Sequence, residues 1–106
     1  MSAYRIGVVM INDDRAGTIC ETESGYRFYY DTLWLSRSDS RAVSLTLPLR
    51  EEPYESEVLF PFFDGLIPEG WLLNVVEKNW KIDDKDRFGL LLVACRDCVG
   101  DVKVIA

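Results

Sequence analysis

The spacing of apolar residues changes once along this chain, and that change limits the fold more than any other feature. Early on, the residues favour strands. Tyr4 to Ile11 is rich in β-formers and closes at the turn signal Asn12-Asp13-Asp14. Thr18 to Thr22 is a second candidate strand. In Tyr26 to Asp31 the rings of Tyr26, Phe28 and Tyr30 alternate with Arg27, Tyr29 and Asp31. The first 31 residues therefore read as an antiparallel meander. Leu33-Trp34-Leu35 suits a single helical turn before a polar crossing. Residues 43–47 (VSLTL) return to strict alternation and stop at Pro48, which predicts another strand. The acidic stretch 51–58, with Pro53 inside it, predicts a surface loop.

From Pro68 the period becomes helical. Leu72, Val75, Val76 and Trp80 fall on one face, and proline stands where a helix begins without wasting a hydrogen bond. Asp83 then precedes a second helix, with Asp86 three residues on in a weak capping-box arrangement. Phe88, Leu91, Leu92 and Cys95 make its apolar stripe. Asp101 to Ile105 reads as a closing strand. The expected class is α+β: a curved, small barrel-like antiparallel sheet with two main helices packed on one side. At 106 residues the whole chain, 1–106, is expected to be a single domain.

Composition narrows the function. Apolar residues make up 48% of the chain, enough for a core. No apolar run approaches the roughly 18 to 20 residues that span a bilayer, and the start lacks the long apolar stretch of a secretory signal, so a cytoplasmic protein is expected. The formal charge is −6, from 12 Lys and Arg against 18 Asp and Glu with no basic stripe, which disfavours direct nucleic-acid binding. Three cysteines do not make a disulfide framework.

Cys95-Arg96-Asp97-Cys98 has the C-x2-C spacing of zinc and redox sites. A closed zinc site wants four Cys or His ligands, and the chain has one further Cys and no His. The first Cys also closes a predicted helix, whereas a reactive dithiol usually opens one. The missing histidine weakens acid-base and nucleophilic schemes too. The adjacent acid pairs Asp13-Asp14, Glu51-Glu52 and Asp83-Asp84 sit in turns or loops without implied partners. No phosphate-binding glycine motif is present. The expectation is a non-catalytic protein with no cofactor and no metal. A small enzyme using cysteines or carboxylates is the remote alternative.

The stretch FPFFDGLIPEGW, 60–71, remains. Its three phenylalanines look like core, yet they run into turn residues and a tryptophan. On a helical wheel Trp71 lies about 90° from the stripe centred on Leu72, Val75 and Val76. Trp71 is either a lid folded over Phe62 or Phe63, or an aromatic anchor presented to a partner.

Trp34-Leu35, SLTLP at 44–48, FFDGLIPEGW at 62–71 and DRFGLLLVACRDCVGDV at 86–102 resemble the N-terminal domain of HipA kinases, in order and across nearly the whole chain. The most specific pieces are FF-x-x-L-x-PEG and D-x-F-x-LL followed by D-C-V-G. The resemblance implies a HipS-like, stand-alone copy of that domain. Such a copy is encoded with a separate HipT-like serine/threonine kinase and a HipB-like DNA-binding protein in three-component toxin-antitoxin modules. It also implies that the chain docks on the kinase and inhibits or modulates it, or alternatively completes and supports it. A HipB-like protein would be reached only through that complex. In the family a tryptophan just after the Pro-Glu-Gly turn touches the kinase, so the implied partner-binding residues are Phe63, Asp64, Ile67, Pro68, Glu69, Gly70 and Trp71.

Overall fold

The computed structural model describes residues 4–67, 86–94 and 101–106. The helix expected from Pro68 onward and the Cys95/Cys98 pair lie outside the described residues. Five strands make one antiparallel sheet: β1 Ile6–Ile11, β2 Asp14–Glu21, β3 Tyr26–Tyr30, β4 Tyr54–Ser56 and β5 Val102–Ile105. Their order, β4-β3-β2-β1-β5, is a four-strand meander with the last strand returned beside the first, and the sheet is open. Three helices are described: α1 Thr32–Leu35, α2 Pro61–Asp64 and α3 Arg87–Ala94. The α+β class holds.

Strand β2 begins four residues earlier than its apolar run. Asn12, at φ 55, takes the left-handed conformation that asparagine tolerates, so Asn12-Asp13 turns the chain in two residues and Ile11 pairs Asp14. Pairing then skips one position: Met10 faces Arg15 and Val9 faces Gly17. Ala16 is the extra residue of this bulge; it is buried, and its carbonyl accepts the Asp31 N–H at 2.8 Å.

The core lies between one face of the sheet and the helices. Val9, Ile11, Ile19, Phe28, Tyr30, Val102 and Val104 supply the sheet side, and Trp34, Phe63, Phe88 and Leu91 the helix side. Gly7 sets how closely α3 approaches, since a Cβ there would lie 2.8 Å from both Leu92 and Val104. Leu90 is fully buried as well as the expected Phe88, Leu91 and Leu92, so α3 is wrapped on more than its apolar stripe.

Two expectations fail. Residues 43–47 are a tight turn rather than a strand: Ser44 and Leu47 form an isolated bridge, with the Leu47 N–H on the Ser44 carbonyl at 3.1 Å. Val43 and Leu47 are buried, but Leu45 at the tip is fully exposed. The Tyr30 hydroxyl takes the place of a strand partner, accepting the Val43 N–H at 3.0 Å and donating to the Leu47 carbonyl. The Ser44 hydroxyl accepts the Thr46 N–H, which favours the turn over an extended chain. The acidic stretch 51–58 was expected to be all loop, yet it contains β4. Tyr54 stacks 6.4 Å from Phe28, and Glu55 faces Arg27 across the strands with an ion pair at 2.9 Å.

Tyr30→Phe strands a buried N–H and a buried C=O together, so a loss of about 1 to 3 kcal/mol is expected, read as a lower melting temperature. Leu45→Ser should stay within about 0.5 kcal/mol of wild type, while Leu47→Ala should cost about 2 to 5 kcal/mol. Equal losses at Leu45 and Leu47 would contradict the turn.

Candidate functional site

The first half of the stretch 60–71 can be followed side chain by side chain. Pro61 opens α2, where its missing N–H is no loss. Phe63 is fully buried, with ring centroids 5.2 Å from Phe28, 6.2 Å from Phe60 and 5.1 Å from Phe62. Phe62 itself is half-buried. Beyond the helix the N–H groups of Gly65, Leu66 and Ile67 return to the carbonyls of Pro61, Phe63 and Asp64 at 2.9, 3.1 and 3.3 Å. Consecutive tight turns thus deliver the chain to residue 67 with its backbone engaged, and Leu66 and Ile67 pack partly against the core.

Asp64 ties this segment to the next. Its Oδ1 accepts from Arg87 Nε at 2.6 Å, joining α2 to α3. Both side chains are about two-fifths exposed, so solvent screening leaves the pair worth under about 1 kcal/mol. Its effect is orientation.

Of the residues expected to meet a partner, Phe63 offers no surface; it holds the edge from beneath. Asp64 lies at the surface, already paired with Arg87, and Ile67 is half-buried at the end of the described segment. Pro68, Glu69, Gly70 and Trp71 lie outside the described residues. The described edge is therefore Phe62 and Ile67 beside the Asp64–Arg87 ion pair. Among the described residues no three His, Cys, Asp or Glu gather in a way that could hold a metal ion. Burial pushes the Cys20 thiol up from its ordinary pKa, so it stays protonated.

A second cluster, formed by residues far apart in the chain, braces α3. Arg5 reaches two carboxylates at once. Nε and Nη2 donate to Glu21 at 2.8 and 3.0 Å, and Nη1 and Nη2 to Asp86 at 2.7 and 2.8 Å. The guanidinium also lies 5.5 Å from the Phe88 ring centre. Asp86 caps α3, its Oδ1 accepting the Gly89 N–H at 3.1 Å. The cap of the described helix is thus Asp86, which serves the helix and Arg5 together, while Asp83 lies outside the described residues. A Cβ on Gly89 would run into the Asp86 carboxylate and lie 2.9 Å from Arg5 Nη1. The D-x-F-x-L motif is therefore a clasp: Asp86 caps and pairs, Phe88 fills the core, and Gly89 leaves room. Hydrogen bonds from Arg5 hold the carboxyls of Glu21 and Asp86 below their usual range, and raise the Arg5 pKa in return. Sequence reasoning missed the clasp, since Arg5 lies 16 and 81 positions from its partners.

Comparison with known proteins agrees with this geometry. The sequence model of the family described as "HipA N-terminal domain" matches residues 7–105. A Haemophilus influenzae protein described as "Uncharacterized protein" is 31% identical over 100 residues, covering 94% of this chain and 91% of the relative. A solved structure titled "N-terminal domain of HipA toxin" superposes with a TM-score of 0.74 at 30% identity, over 99% of this chain and 94% of the other.

The clasp has a pH signature. Glu21 and Asp86 have depressed folded-state pKa values, so their contribution is complete above the unfolded carboxylate pKa of about 4 and is lost as pH falls through the lower folded values. Asp86→Asn keeps an oxygen for the Gly89 N–H but removes the charge. Its melting temperature should fall less steeply than wild type below about pH 4. Parallel curves would mean the clasp carries no pH-dependent stability.

Proposed function

The chain belongs to the HipA N-terminal domain family, and from that premise we propose that it is a non-catalytic, cytoplasmic component of a toxin-antitoxin system. It binds a separately encoded HipA-like (HipT-like) serine/threonine kinase and inhibits or modulates it. The observation that carries this reading is the Haemophilus relative. The match spans 91% of that protein, so the domain also occurs in a chain little longer than itself. A relative of that length supports a reading in which the domain works on a separately encoded partner.

The contact lies in the segment 62–71, with Phe62, Asp64 and Ile67 at its described start and Pro68, Glu69, Gly70 and Trp71 following in sequence. Burial of Phe63 and the turns after α2 support it, because a surface held by engaged backbone loses little entropy on binding. Trp71 is the anchor, the residue type that most often dominates an interface. A HipB-like DNA-binding protein joins through the kinase. The solved relative, whose title makes it a domain of the toxin, favours a second reading, in which the chain completes and supports the kinase.

Co-expression with a HipA-like kinase from the same genome should give a complex that survives gel filtration. Trp71→Ala should cost at least about 2 kcal/mol of binding, a roughly thirty-fold loss, with the melting temperature little changed. Kinase activity with and without the partner separates inhibition from support. Separate elution at micromolar concentration contradicts the reading. A Trp71→Ala protein that melts early yet binds normally makes Trp71 a core lid.

A further inference from the structure

Two side chains meet across a long detour of the chain. Asp64 closes α2 and Arg87 opens α3, 23 positions apart, yet Asp64 Oδ1 accepts from Arg87 Nε at 2.6 Å. Between them in sequence lie Pro68, Glu69, Gly70 and Trp71, the residues proposed to meet the kinase. A stretch tied at both ends has fewer arrangements open to it than one tied at a single end.

Each end is fixed to the body of the domain. The Asp64 N–H donates to the Phe60 carbonyl at 2.9 Å, and the Asp64 carbonyl accepts the Ile67 N–H at 3.3 Å, beside fully buried Phe63. At the other end Arg87 stands between Asp86, which Arg5 grips through both carboxylate oxygens, and Phe88, buried with its ring edge-on to Tyr26 at 5.6 Å. What these contacts leave open is how the end of α2 sits against the start of α3. The Asp64–Arg87 pair spans that junction.

Asp64 stands among the residues expected to touch a partner. Its charge, however, is answered within the chain: the guanidinium lies 2.6 Å away, so the pair presents no net charge for a partner to read. Nor does the pair hold the fold together. Both side chains are about two-fifths exposed, and screened pairs of this kind add little stability. A bond of that strength between two segments is suited to placing one against the other.

Resting on the function proposed above, we infer that Asp64 and Arg87 are a positioning pair for the kinase contact. They touch each other rather than the kinase, and fix the junction from which the stretch carrying Trp71 departs and to which it returns. Molecules with the junction formed bind best, so the apparent affinity follows the share that has it. The weakness of a screened pair limits the change on breaking it to about fivefold.

The test measures kinase affinity by calorimetry and melting temperature by circular dichroism, in the full chain, for Asp64→Ala, Arg87→Ala and the reversed pair Asp64→Arg with Arg87→Asp. Each single variant should lose about three- to fivefold in affinity while melting close to wild type, and the reversed pair should return to within about twofold. Arg87→Ala made together with Trp71→Ala should add less than about twofold to the loss from Trp71→Ala, because no anchor is left to place. Where the reversed pair melts early, that comparison decides. A folded reversed pair that binds no better than the single variants assigns direct kinase contacts to Asp64 or Arg87 and overturns the inference. Single variants that bind as wild type overturn it too, as do losses that simply multiply with that of Trp71→Ala. In each case the proposed function stands as long as Trp71→Ala weakens binding. Wild-type protein that does not bind the kinase removes both.

Discussion

The contact between Phe63 and Phe28 is the constraint on which the rest depends. Phe63 belongs to α2, a single turn too short to be stable alone, and Phe28 to the middle of β3. Their rings meet 5.2 Å apart with both side chains fully buried. Phe28 is also touched by Tyr30 at 4.9 Å, and Tyr30 holds the turn at 43–47. The one-turn helix α2 and the tight turn at 43–47 are therefore both fixed by one aromatic cluster on the sheet. Removing such a ring typically costs about 3 to 5 kcal/mol, a large part of the stability of a domain this size. The three phenylalanines that looked like core beside turn residues do both jobs, with Phe63 inward and the turns following from it.

The clasp performs a parallel service for α3. Arg5 sits just before β1, and with Glu21 at the end of β2 it grips the cap residue of a helix far along the chain. Individually these partly exposed, solvent-screened ion pairs add little. Together with the cap they set the rotation of α3, which places Arg87 beside Asp64 and so aligns the two segments that border the candidate site.

How much of this was legible depended on whether the deciding contact was local. The meander could be read because the β-formers of β1, the alternation in β3 and the turn at Asn12-Asp13 are properties of neighbouring residues, and the closing strand and the apolar positions of α3 were read the same way. Residues 43–47 alternate just as cleanly, but their fate is set by a hydroxyl thirteen positions earlier, and no periodicity reports that. Strand β4 hid in an acidic stretch because its partner Arg27 neutralises Glu55 from across the sheet. The double duty of Asp86 as cap and as partner of Arg5 joins positions 81 residues apart, which no local pattern reports. Of the candidate contact residues, aromatic content could not distinguish Phe63, which supports, from Phe62, which reaches the surface; the difference appears once α2 is set on the sheet.

What unites the described features is that the aromatic cluster around Phe28 and the Arg5 clasp both hold surface segments in fixed positions. The central claim is that the edge beginning in α2 meets a HipA-like kinase. The direct measurement is amide hydrogen exchange of this chain, alone and saturated with that kinase. The account predicts added protection concentrated over residues 60–71 in the complex. A complex in which exchange over 60–71 is unchanged would contradict it.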